Sequence, residues 1–136
     1  MEQPDKQLQR YGVGPRLSEA SIFHGVVYLA GMVPECAETD VRAQTRNVLA
    51  QIDHHLAACG TDKTRLLRVQ IYLRDIRDIA AMNEVWDQWV VPGCTPPRAT
   101  VQAALAQPEW TIEVVATAAL PPSATAATGA GGSTAP

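Results

Sequence analysis

Arg98 and Glu113 are the residues in this chain best placed to do chemistry. Each lies in a stretch that otherwise reads as buried β-strand: Pro96-Pro97-Arg98-Ala99-Thr100 and, fifteen residues on from Arg98, Glu113 within Thr111-Ile112-Glu113-Val114-Val115. A charge in such surroundings must be paired, bound to a ligand or engaged in a reaction. The guanidinium of Arg98 presents a planar fork that matches a carboxylate, on a backbone stiffened by the preceding Pro-Pro. That suits a bidentate anchor for a small acid. A structural salt bridge to an acidic partner satisfies the same pattern. Glu113 fits a general base or water-orienting group, or simply the partner of Arg98. Thr100, two residues after Arg98, points the same way and offers a hydroxyl; it is also an ordinary β-branched strand residue.

Other side chains offer less. His24 falls at a turn, and His54 and His55 are adjacent on a helix, so they point to different sides. No spacing matches a metal site, and none is expected. Asn83 lies on the inner stripe of a helix, where an amide fixes packing. Trp86 and Trp89 at helical spacing read as core. Cys94 has no histidine near it in sequence to activate it as a nucleophile. Glycine-rich nucleotide loops and the G-x-S-x-G elbow are absent from the sequence.

The elements that must hold these residues alternate in type. Arg16–Phe23 and Val26–Val33 read as two strands around a His24-Gly25 turn. From Asp40 the apolar period becomes helical, with Val41, Thr45, Val48, Leu49, Ile52 and Leu56 on one stripe and Gly60 as a stop. Leu66–Leu73 is a third strand. A second helix follows Asp75 or Asp78 as cap, with Ile79, Met82, Trp86, Trp89 and Val90 inward. Arg98–Leu105 and Thr111–Leu120 complete an order ββαβαββ: an α+β fold with a mixed sheet and two helices on one face.

Alternation sets Arg98, Thr100 and Gln102 against Ala99, Val101 and Ala103, and Thr111, Glu113, Val115 and Thr117 against Ile112, Val114, Ala116 and Ala118. The expectation is that Arg98, Thr100 and Glu113 share the face turned away from the helices. That face carries few charges for a solvated one, which points to an oligomer interface with a pocket beside it.

Composition bounds the function. The 136 residues fit one domain, read as a flexible arm over 1–10, a folded domain over 11–120 and a small-residue disordered tail over 121–136. A formal net charge of −3 with no basic run argues against a nucleic-acid partner. No apolar stretch is long enough for a bilayer, no signal peptide is evident, and three widely spaced cysteines fit free thiols in a reducing cytoplasm.

A set of ordered fragments then resembles a known family. They are R-L-S-E-A at 16–20, V-Y-L-A-G at 27–31, A-Q-T-R-N-V-L at 43–49, I-Y-L-R-D-I at 71–76, A-A-M-N-E-V-W at 80–86, P-P-R-A-T at 96–100 and I-E-V at 112–114. In this order and spacing they resemble the Rid (YjgF-type) reactive intermediate deaminases from about Arg16 to Leu120. The resemblance implies a chorismate-mutase-like two-layer fold and a homotrimer with ligand sites at the subunit interfaces. It also implies hydrolysis of an enamine or imine acid such as 2-aminoacrylate/2-iminopropionate to a 2-keto acid and ammonia. In that frame Arg98 grips the substrate carboxylate, Glu113 orients the attacking water, the Thr100 backbone donates to the reacting group, and Gly31, Arg16 and Leu17 line the pocket. An imine carbon is already electrophilic, so neither metal nor cofactor is expected.

The chain also departs from the family pattern. Arg16-Leu17-Ser18-Glu19 stands where the best-known deaminases have P-Y-S-Q, so Leu17 replaces an aromatic that helps close the pocket. Met32 follows Gly31 in place of glutamine, Thr100 replaces a frequent cysteine, and Val115 replaces a second acid. These changes describe a divergent branch. The alternative function is a non-catalytic trimer that holds a keto acid; a ribonuclease reading conflicts with the acidic charge balance.

Overall fold

The computed structural model describes residues 7–122. Six strands, β1 (Gln9–Val13), β2 (Ser18–Phe23), β3 (Val26–Leu29), β4 (Leu66–Leu73), β5 (Arg98–Gln102) and β6 (Ile112–Ala119), form one mixed sheet. Its spatial order is β1-β2-β3-β6-β4-β5. All neighbours are antiparallel except β4 and β5, which are parallel and joined by the crossover helix α2 (Ile79–Trp89). Helix α1 (Val41–Ala58) connects β3 to β4, and β6 fills the gap between those two strands.

Local chemistry explains the element ends. The Asp40 carboxylate caps α1 by accepting from the Ala43 N–H at 2.9 Å. Gly60, at φ +90°, follows its last turn. The two-residue loop between β2 and β3 places His24 at φ +51° and Gly25 at φ +78°, the left-handed pair a tight hairpin needs. A short 3-10 turn, Ile76–Asp78, precedes α2, and Asp75 caps that turn by accepting from the Arg77 N–H.

The core lies between the helices and one face of the sheet. The whole α1 stripe expected from sequence is buried, together with Gln44. It packs over Val27, Leu29, Val69, Ile71, Leu73, Ile112, Val114, Ala116 and Ala118. Gln44 is the one amide in this core. It accepts from the Thr111 N–H at 2.7 Å and donates to the Glu38 and Glu109 carbonyls. The entry into β6 is thereby tied to α1.

Several bounds differ from the sequence expectation; β3 ends at Leu29 and β5 at Gln102, short of Val33 and Leu105. The stretch read as an arm over 1–10 overlaps β1 at Gln9 and Arg10, and β1 pairs with β2 from Gln9↔Ile22 to Val13↔Ser18. Its residues are mostly exposed, so hydrogen bonding to a neighbour, not burial, holds it. Arg16 and Leu17 fall in the β1–β2 turn, closed by Gly14 N–H to Leu17 C=O, and β2 starts at Ser18. Nearly all of the expected 121–136 tail lies outside the described residues.

Candidate functional site

Arg98 opens β5 at the outer edge of the sheet. In the parallel ladder it stands opposite Val69, and Thr100 stands opposite Ile71; both partners are fully buried beneath the helices. Arg98 and Thr100 therefore face the helix layer, which corrects the expectation that they share a face with Glu113. Polarity alone would put the even positions of β5 on the open face. What admits them to the helix side is α2: Arg98 Nη1 donates to Asn83 Oδ1 at 2.8 Å, and its Cζ lies 5.0 Å from the centre of the Trp86 ring. Asn83 and Trp86 are three apart on α2 and so share a face. Burial pushes the Arg98 pKa down, against a smaller upward pull from Asp87.

No carboxylate among the described residues lies within ion-pair distance of Arg98. The structural salt bridge with Glu113 is absent. Arg98 is a partly buried cation held by a neutral amide and an aromatic face.

The backbone beside Arg98 is also open. Val69 N–H donates to Pro97 C=O and Ala103 N–H donates to Leu73 C=O. The intervening odd positions of β5 face β4, so the N–H groups of Arg98, Thr100 and Gln102 point outward along the free edge. The Thr100 hydroxyl is buried without a hydrogen-bond partner.

Glu113 sits on the other face. It pairs with Tyr72 across β4, and Val101 continues the same row on β5. Register slips by one residue between Tyr28↔Thr117 and the bridge Met32↔Val114, so Leu29, Ala30 and Gly31 form a bulge beside β6. The missing Cβ of Gly31 leaves room there for the Glu113 carboxylate, which a Cβ would displace. Structure thus brings Gly31 and Glu113 together as a unit. The carboxylate makes no hydrogen bond or ion pair among the described residues, and it lines a cavity of about 290 Å³ with Tyr72, Val115, Ala103, Ala104 and Leu105. Arg74 holds the far wall by donating to the carbonyls of Leu105, Gln107 and Trp110.

Within one chain the expected residues form separate groups. Arg98 and Thr100 lie on the β5 edge under α2; Glu113 lies on the open face two strands away, about 10 Å at the usual strand spacing, with Gly31 one strand further beside it. Arg16 and Leu17 lie exposed beyond the opposite side of the sheet, with β3, β6 and β4 between β2 and β5. Asn83, Trp86, Tyr72 and Ala103–Leu105 were not read as site residues. The i, i+3 pairing of a lone amide with a tryptophan on α2 was the available signal. Two further hollows, one between the helices at Trp89 and one at His54 and His55, contain neither Arg98 nor Glu113. No group of three or more His, Cys, Asp or Glu among the described residues could hold a metal ion.

A six-stranded mixed sheet under two helices is a fold shared with known proteins. Residues 10–120 match the family model described as Endoribonuclease L-PSP. A RutC family protein of Haemophilus ducreyi is 44% identical over 113 residues, 83% of this chain and 97% of that protein. RutC family protein YoaB of Escherichia coli is 44% identical over 105 residues, 77% and 91% of the two chains. Among solved structures, NMB1025 of Neisseria meningitidis, a YjgF family member, superposes with a TM-score of 0.82 at 50% identity, covering 84% of this chain and 95% of that one. The chain belongs to this L-PSP/YjgF family, the Rid-type proteins.

Proposed function

We propose that the protein hydrolyses reactive enamine and imine acids, of the 2-aminoacrylate/2-iminopropionate type, to 2-keto acids and ammonia. The observation that carries this reading is Arg98: a pre-oriented, partly buried guanidinium with no carboxylate partner among the described residues. It is suited to take the substrate carboxylate, with the outward N–H of Thr100 beside it. Glu113 then receives a proton from water as the oxygen adds to the imine carbon, and returns it to the nitrogen of the resulting carbinolamine. The C–N bond breaks, the hydroxyl proton is lost as the keto C=O forms, and nitrogen leaves as ammonia. Anchoring and one activated water suffice for so electrophilic a carbon.

Arg98 and Glu113 face opposite sides of the sheet, so a substrate of a few atoms reaches both only if they come from different chains. The reading therefore includes a homotrimer with sites between subunits. Support comes from the open face, where Tyr28 and Val101 are 48% and 44% exposed. Large side chains on a sheet face favour cover by another copy.

The test generates 2-aminoacrylate in situ with a serine dehydratase and follows imine decay. Added protein is expected to accelerate decay, and Arg98→Ala to abolish the effect; equal rates with and without protein sink the reading. Co-refolding inactive Arg98→Ala with inactive Glu113→Gln chains tests the shared site. Mixed trimers regain part of the activity if the two residues come from different subunits, and stay inactive if one chain supplies both.

A second reading rests on the same separation of Arg98 from Glu113, with Leu17 in place of a closing aromatic: a non-catalytic trimer that binds a keto acid through Arg98. It predicts saturable binding lost in Arg98→Ala, with no turnover. The nuclease activity in the family's description would need a basic surface, which 11 Lys and Arg against 14 Asp and Glu do not supply.

A further inference from the structure

An arginine side chain has four torsions and about 2 kcal/mol of rotamer entropy to lose when it grips a ligand. In this protein much of that ordering is already done. Asn83 Oδ1 accepts a hydrogen bond from Arg98 Nη1 at 2.8 Å, and the indole of Trp86 lies against the guanidinium, its ring centre 5.0 Å from Cζ. Trp86 is buried, so its ring is a fixed surface; Asn83 is partly buried one turn earlier on α2. Neither Nε nor Nη2 of Arg98 has a protein partner among the described residues. Those two donors form one side of the fork, the side a carboxylate engages with two parallel bonds.

The identity of the clamp matters as much as its geometry. An aspartate at position 83 would hold the guanidinium at least as tightly and would cancel its charge. An amide oxygen holds it and leaves the charge whole. The indole does the same from the side: it screens the cation from water and offers only the π face, with no anion to compete with a ligand. We infer that Asn83 and Trp86 are positioning residues that fix the Arg98 fork while keeping it un-neutralised, so that α2 sets the affinity for the substrate carboxylate without touching the substrate.

The inference rests on Arg98 as the carboxylate anchor proposed above, and its test is separable from turnover. The probe is 2-oxobutyrate, its binding followed by calorimetry on the full-length assembled protein. Asn83→Asp, nearly isosteric, is expected to weaken binding at least tenfold while the melting temperature stays within a few degrees of the parent. Asn83→Ala is expected to weaken it several-fold. In the imine assay both raise KM and change kcat less than threefold, whereas a loss of structure would lower active-site content and depress kcat. Trp86→Phe, which keeps a ring in the core, is expected to fall between the parent and Asn83→Ala. If Asn83→Asp binds 2-oxobutyrate as the parent does while Arg98→Ala does not, the inference is overturned and Arg98 stands as the anchor. If the Asn83 variants lose binding but the parent never accelerates imine decay, the deaminase reading falls and the inference stands. If Arg98→Ala binds like the parent, the inference is overturned together with the anchor.

Discussion

The β5 edge and the β3 bulge each present one charged group, and the fold prepares the two differently. At the edge, Arg98 is fixed before any ligand arrives, with an amide on one nitrogen and an indole against its plane. At the bulge, Glu113 is given room and nothing else: the missing Cβ of Gly31 makes space for its carboxylate, and no donor among the described residues holds it. A group that binds gains from being locked in advance, because ordering it later costs affinity. A group that accepts a proton from water needs freedom to meet that water and a partner that arrives with the substrate. On the proposed reading, the single chain therefore contains a finished anchor and an unfinished base.

Variants can break that contrast in order of effect. Arg98→Ala removes the finished half, and kcat/KM is expected to fall by about two to three decades, the range for deleting one partner of a hydrogen-bonded charge pair. Steady-state imine kinetics would show it, and a drop under threefold would remove the contrast altogether. Gly31→Ala attacks the unfinished half. The added methyl displaces the Glu113 carboxylate, which is the movable end of a long side chain, so stability should barely change. Activity is expected to fall about tenfold or more from the misplaced base, with keto-acid affinity kept. A lost fold, or lost binding with normal kcat, would place Gly31 in a different role.

Smaller effects sharpen the edge alone. Thr100→Val replaces a buried hydroxyl without a partner by a methyl, and unfolding stability should rise by about 1 kcal/mol. Keto-acid affinity should be unchanged, because the donor proposed there is the backbone N–H; a loss of affinity would bring the hydroxyl into the site. The smallest effect concerns acid. Hydrogen bonds from Arg77 hold the Asp75 carboxyl down at about 2, from an ordinary 3.8. Its pKa is depressed on folding, so its contribution is complete above about pH 3.8 and is lost as pH falls through about 2. Asp75→Asn is expected to melt like the parent at pH 2 and slightly below it at pH 6, by differential scanning fluorimetry. A gap that widens in acid would reverse the assignment.

Periodicity made the helices and five of the six strands legible. The α1 stripe from Val41 to Leu56 is wholly buried, and the His24-Gly25 hairpin lies where the turn residues put it. β1 escaped because Gln9-Arg10-Tyr11-Gly12-Val13 carries no buried alternation; its strand character comes from pairing with β2. The geometry of the candidate site was half legible. Residue type selected Arg98 and Glu113, and alternation grouped Arg98 with Thr100 correctly. Alternation does not say which parity faces the helices, and the choice by polarity failed in a five-residue edge strand. There Asn83 and Trp86 make the helix side hospitable to a cation, while Ala99 and Val101 take the open face. The Gly31–Glu113 contact depends on a one-residue bulge, which leaves no mark in local composition.

The place of β6 has a consequence for how the chain acquires this shape. It is the last strand in sequence and lies between β3 and β4, so each of those strands lacks a neighbour until residues 112–119 are available. Sheet closure is then a late, long-range event that must wait for both helices to be made. Refolding belongs among the slower rates for a domain of this size, in milliseconds to seconds. During synthesis, the β6-facing edges of β3 and β4 stay unpaired until residues 112–119 have emerged, and that interval is when these strand edges are most open to aggregation.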